Sequence, residues 1–419
     1  MKNTGVWLTV ICLVLVFSAV ISTAGCAKIG QAEDLMSGII PQKEGGKVQI
    51  TNEKQAITDF ALRLLRENEV SGENVLVSPL SVLCALALTV NGAEGETRQE
   101  MERVIGMDTD KLNSFLSGYF SNLPAGEKYK LSLANSIWFT DDESFKVNQG
   151  FLQKNADFYG ADIYKTAFNS DTCKQINEWV SQKTDGMIEE ILDSVPQRAV
   201  MYLVNALAFD AEWEEIYTES HIGNGIFTKE DWTEQTVEFM SSEEGVYLSD
   251  GKAVGFMKYY SGRKYAFAAL LPDENTTVSE YIASLDGAAL NKMLSEAEKT
   301  RVLAYMPKFK TEYGKELSEA LRNMGMPLAF DRIKAQFGGL GSAEPNNIYI
   351  GRVLHKTFMS VDEKGTKAGA ATVVEMLKNE GIVTEQPKRV YLNRPFVYMI
   401  VDCENNVPVF MGIMNDVEG

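Results

Sequence analysis

The stretch from Val200 to Phe209 constrains this chain most, because Met201, Leu203, Val204, Leu207 and Phe209 leave few polar positions on either side of an extended backbone. Such a strand is apolar on both faces and demands a covering layer on each. Asn205 is the exception, and a polar side chain in that setting needs buried partners. A chain of 419 residues with 45% hydrophobic content has ample material for those layers. No composition shift marks an internal boundary, so one domain and two both remain open.

A second buried element lies earlier. Asn74-Val75-Leu76-Val77-Ser78-Pro79-Leu80-Ser81 reads as a short strand, then Ser as N-cap and Pro in the first helical turn, and the run to Val90 is apolar nearly all round. Thr51 and Asn52 precede an amphipathic helix through Ile57, Ala61, Leu64 and Leu65 to Asn68, and Thr97 is predicted to cap a helix through Met101, Val104 and Ile105. Further helices are predicted over Asn148–Tyr159, Ile176–Lys183, Thr277–Leu285, Gly287–Glu298 and Lys315–Met324. Strands are predicted over Leu131–Phe139, Phe256–Tyr260, Tyr265–Leu271, Thr300–Tyr305, Val353–Val361, Phe396–Val401 and Pro408–Met414. Helices early and strands late argue for an α+β fold with mostly antiparallel sheets.

Directly after the strand-like run His355–Val361 comes Glu363-Lys364-Gly365-Thr366-Lys367-Ala368-Gly369-Ala370-Ala371-Thr372. Beyond Gly365 its side chains are small or short except Lys367, and Thr366 and Thr372 tolerate an extended backbone. The stretch suits either a surface linker or a strand that lies exposed and later fits between others.

Taken in order, these segments resemble the serpins, the serine protease inhibitors, from about residue 50 to 415. The resemblance is carried by Asn74, Ser78, Pro79, Ser81, Asn91-Gly92 and Thr97, by Asn205 to Trp213, and by Leu270-Leu271-Pro272-Asp273. Met306-Pro307-Lys308-Phe309, His355-Lys356, Glu363 to Thr372, Asn393-Arg394-Pro395-Phe396 and Phe410-Met411-Gly412 continue it. Departures are Lys367 where Glu is usual, Gly369 within the alanine run, and Asp210-Ala211-Glu212 in place of Lys-Gly-Lys. The resemblance implies an α+β serpin fold, with about nine helices around a large mixed central sheet plus two smaller sheets. It implies a single domain over 48–419, with an exposed reactive-centre loop at about 365–388.

It also implies a function. Serpins of the inhibitory kind are suicide substrates of serine, and secondarily cysteine, endopeptidases; they are not enzymes, use no cofactor or metal, and act as monomers. By resemblance Glu363, Gly365, Thr366, Ala368, Gly369, Ala370, Ala371 and Thr372 form the hinge of the inserting loop. Ser78, Ser81, Asn205, Trp213, Lys308 and His355 form the shutter and breach that govern opening of the sheet, with Lys308 facing Glu363. Counting seventeen residues inclusive from Glu363 places the reactive bond at Asn379-Glu380; Met376, Leu377 and Lys378 are alternatives, and a count back from Pro395 falls nearer Thr384. The rival reading is a serpin-fold protein that does not inhibit, being instead a cleaved substrate, a binding protein or a surface scaffold.

Met1 to Gly25 reads as an export signal, with Lys2, an apolar run from Val6 to Ile21, and small residues before Cys26. Ser22-Thr23-Ala24-Gly25-Cys26 resembles a lipobox with Thr23 where Leu is usual, so Cys26 is expected to carry lipid and hold the chain at the extracellular face of the membrane. Secretion without lipid is the alternative, and residues 26–47 are expected to serve as a flexible tether. The net charge of −18 argues against nucleic acid and anionic membrane surfaces as partners. Cys84, Cys173 and Cys403 lack the spacing of a disulfide framework or a zinc site. His221 and His355 are the only histidines, and no hydrolase signature accompanies them.

Overall fold

A computed structural model describes residues 32–42, 53–121, 128–195, 200–366 and 386–418. The two-faced strand runs Met201–Glu212, with every residue from Met201 to Phe209 buried. It stands inside a seven-stranded sheet in the order Glu33–Asp34, Asp162–Thr166, Tyr129–Thr140, Met201–Glu212, Gly365–Thr366, Arg352–Val361, Phe309–Glu316. The strand is antiparallel to Tyr129–Thr140 and, over Tyr202–Ala208, parallel to Arg352–Phe358. Alternation sends its side chains to two cores. Leu203, Leu207 and Phe209 join the main core with helices Glu53–Asn68 and Pro79–Val90, while Val204 and Ala206 meet Trp138 and Trp179 beneath helix Ser170–Lys183.

A six-stranded sheet (Val75–Val77, Val407–Met414, Phe396–Asp402, Tyr265–Pro272, Ala253–Tyr259, Val246–Ser249) backs the main core. A four-stranded sheet (Lys388–Tyr391, Val302–Pro307, Glu234–Glu244, Ile222–Thr228) and a two-stranded ribbon complete the β structure, with nine α-helices among the described residues. Helix Pro79–Val90 starts as its sequence dictates, the Ser78 side chain accepting the Ser81 N–H and Pro79 filling the first position, and all 12 of its residues are buried.

Several boundaries differ from the sequence expectation. Thr97 does not cap its helix, which spans Gly95–Ile105 after Glu94; its hydroxyl accepts the Gln336 N–H at 3.0 Å instead. Lys315 and Glu316 end the strand Phe309–Glu316, and the helix begins only at Ser318. Helix Thr109–Ser121 and strands Ile222–Thr228 and Glu234–Glu244 are additions. The stretch read as a tether is docked over Ala32–Gln42: Glu33 and Asp34 pair with Lys165 and Tyr164, and the Leu35 N–H donates to Ile163 O at 2.9 Å. Strand Asp162–Thr166 offers a backbone edge for that pairing, and Leu35, Met36 and Ile39 pack against the main core beside it.

Candidate functional site

At one end of the central sheet, Gly365 lies opposite Glu212, while Thr366 lies opposite Ala211 on one side and Val361 on the other. From Ala208 and Phe358 downward the two flanking strands pair directly with each other. The sheet is therefore parted at its end by two loop residues and zipped below them. A Cβ on Gly365 would fall 2.0 Å from the Ala211 carbonyl oxygen and 2.8 Å from the Glu212 Cα, so only glycine fits. Thr366 is fully buried, its Oγ1 2.6 Å from the Tyr260 hydroxyl.

The residues leading into this seat are held by their carbonyls. Asp362 O accepts the Trp213 indole N–H at 2.9 Å, Glu363 O the Tyr217 N–H at 2.8 Å, and Lys364 O the Trp213 backbone N–H at 2.8 Å. The Trp213 ring stacks on Tyr260 with centroids 4.3 Å apart. Lys308 Nζ stands 3.2 Å from Glu363 Oε2 and 3.2 Å from Glu238 Oε2, so a second carboxylate shares the lysine. Glu363's carboxyl is held below its usual range by its own backbone N–H and by Lys308.

A second cluster lies lower in the same sheet. Asn205 faces Asn135 on one side and His355 on the other, forming a polar row across three strands. Asn205 Oδ1 accepts from Ser81 Oγ at 2.7 Å and from His355 Nδ1 at 2.6 Å, and its amide nitrogen donates to Ser81 O and Asn135 Oδ1. His355 Nε2 accepts the Ser78 N–H at 3.1 Å, which places the ring proton on Nδ1. Ser78 Oγ donates to Val409 O at 2.9 Å, tying the helix start to the six-stranded sheet as well.

Burial keeps this imidazole neutral, lowering the His355 pKa from 6.5 to about 3. In the unfolded chain the ring takes up a proton near its ordinary value, so between these values the unfolded state binds more protons and stability falls as pH drops from about 6.5 toward 3. His355→Gln is expected to be less stable at pH 7.5 yet to lose less in melting temperature between pH 6.5 and 4 than the parent. Parallel melting profiles for the two proteins would contradict this.

The sequence-predicted residues thus fall into two groups. Ser78, Ser81, Asn205 and His355 share one network; Trp213, Lys308, Glu363, Gly365 and Thr366 meet at the parted end of the sheet. Ala368, Gly369, Ala370, Ala371, Thr372, Met376, Leu377, Lys378, Asn379, Glu380 and Cys26 lie outside the described residues. Lys388, taken as the far limit of the loop, already belongs to a strand parallel to Val302–Tyr305. Sequence reasoning missed Asn135, Tyr217, Tyr260 and Glu238. Asn135 was detectable, since alternation puts it in phase with Leu131, Leu133, Ile137 and Phe139.

A serpin (serine protease inhibitor) family model matches residues 55–417. Human serpin B8 is 30% identical over 367 residues, 84% of this chain and 96% of that protein. The crystal structure of tengpin, a thermophilic serpin, in its native state is 44% identical, with a TM-score of 0.87 over 92% of this chain and 100% of that one. The latent state of tengpin (42% identical) matches less closely, with a TM-score of 0.78 over 89% of this chain and 100% of that one. With a family match across nearly the whole folded region, and with the fold of a native-state serpin, the chain belongs to the serpin family.

Proposed function

We propose that this serpin inhibits serine-type endopeptidases as a suicide substrate. The observation that carries the reading is the seat of Gly365 and Thr366 between strands that pair directly below them. A protease serine attacking the chain beyond Thr366 forms an acyl-enzyme, and the severed segment is then free to continue inward from Thr366. From Gly369 on, which would come opposite Ala208 and Phe358, each further residue exchanges one parallel pairing for two antiparallel ones, so insertion is downhill. At about 3.3 Å per residue, some fourteen residues carry the attached protease roughly 50 Å and distort its active site before water completes hydrolysis. A cysteine endopeptidase, which also forms an acyl-enzyme, is open to the same trap.

The register supports the position assigned to the reactive bond. Stepping inward from Thr366, Glu375 comes opposite Arg352 and Met376 opposite Met201, where both strands end. Asn379-Glu380 lies just beyond, within reach of Met376, Leu377 and Lys378 as alternatives. On the same reading Cys26 carries lipid after export and keeps the inhibitor at the extracellular face of the membrane.

Incubation of the mature protein with trypsin-like, chymotrypsin-like, elastase-like and subtilisin-like enzymes is expected to yield an SDS-stable complex with one class. The released C-terminal peptide should begin at Glu380. Clipping by every enzyme with no complex would establish the non-inhibitory reading instead.

A further inference from the structure

Behind the parted end of the sheet lies a buried ion pair that the trapping reaction, as set out above, does not use. Lys258 is 2% exposed and pairs with Glu244 at 3.0 Å. Its Nζ lies 4.5 Å from the ring centre of Tyr217 and 5.5 Å from that of Trp213. These are the two residues whose N–H groups hold the carbonyls of Asp362, Glu363 and Lys364. Ser242 Oγ donates to Glu244 at 2.7 Å, so the Tyr217 hydroxyl, 3.2 Å from Ser242, donates to it in turn. The chain Tyr217, Ser242, Glu244, Lys258 closes on itself over the Tyr217 ring. Lys258 comes from the six-stranded sheet, Ser242 and Glu244 from the four-stranded one, and Trp213 and Tyr217 from the segment that follows the central strand.

Stability alone does not account for a lysine here. A buried ion pair can usually be replaced by matched neutral residues with little loss, because desolvation offsets most of its attraction. Neutral residues cannot reproduce the pull of a desolvated ammonium on two aromatic faces at once, a pull that is strongest toward indole. We infer that Lys258 is a positioning residue for loop insertion: it fixes Trp213 and Tyr217 so that Asp362 to Thr366 stay docked at the mouth of the sheet before the loop is cut. For its consequence in trapping, this inference rests on the inhibitory reading. A docked hinge starts insertion from a seeded strand, and a released one gives deacylation more time.

The test combines Lys258→Met with Glu244→Gln, which removes both charges and leaves neither orphaned, and compares Lys258→Arg, which keeps the cation. Hydrogen–deuterium exchange is read on peptides covering Trp213 to Tyr217 and Asp362 to Thr366. In the double variant these peptides are expected to exchange at least tenfold faster while the rest of the central sheet is unchanged, and in Lys258→Arg they should stay close to the parent. Exchange within twofold of the parent overturns the inference, and so does an acceleration spread evenly over the sheet, which would mark the pair as merely structural. With a protease that the parent traps, the double variant should consume severalfold more inhibitor per enzyme at an unchanged acylation rate. If the parent traps none, the inhibitory reading falls, and the exchange data still decide the role of Lys258.

Discussion

On the inhibitory reading, Thr366→Arg is expected to turn the protein from inhibitor into substrate, raising the number of molecules consumed per protease by at least tenfold. Thr366 is fully buried between two strands with its hydroxyl against Tyr260. A guanidinium in that fully buried seat would be a bulky charge taken out of water, so the hinge would leave the sheet. Insertion would then begin late, and the acyl-enzyme would hydrolyse first. Titrating residual protease activity against added inhibitor, with cleaved chain and complex quantified on SDS gels, measures the partition directly. Undiminished complex formation would show that Thr366 does not have to lead the insertion.

The second large effect needs no mutation. Cutting the loop is expected to raise the melting temperature by about 10–20 °C. Insertion adds on the order of a dozen backbone hydrogen bonds, each contributing about 1 kcal/mol net. By the entropy of unfolding of a chain this long, each kcal/mol moves the midpoint by about 1 °C, and packing of the inserted side chains adds more. Calorimetry before and after nicking by a protease that is not trapped gives the comparison. An unchanged midpoint would mean that the cut loop stays outside the sheet, and trapping would lose its driving force.

Much of this architecture is legible in the residues, and the pattern of success is physical. Ser78 and Pro79 announce a helix by capping chemistry, and Met201 to Phe209 announce a two-faced strand by leaving water no side to occupy. Phe309–Glu316 is harder to read because only Phe309 and Thr311 are buried while Lys310, Glu312 and the last residues face solvent, as suits the edge strand of a sheet. Helix Thr109–Ser121 carries Leu112, Phe115, Leu116 and Tyr119 at helical spacing, a signal present in the sequence but without strong caps. At the site, polar residues inside apolar strands reveal Asn205 and His355. Nothing local reveals Tyr217, Tyr260 or Lys258, whose roles arise from contacts across sheets distant in sequence.

On the inhibitory reading, the polar row of Asn135, Asn205 and His355 stands midway along the path the cut loop would travel. Below Thr366 opposite Ala211, each residue advances one position, and the sixth step brings Thr372 opposite Asn205, on the same face of the sheet. As the strands separate there, the bond from His355 to Asn205 must break, and a threonine hydroxyl arrives at that moment to accept or donate in its place. On that reading the row would behave less as a lock than as a relay, a detent that resists idle opening yet hands its hydrogen bonds to the incoming strand.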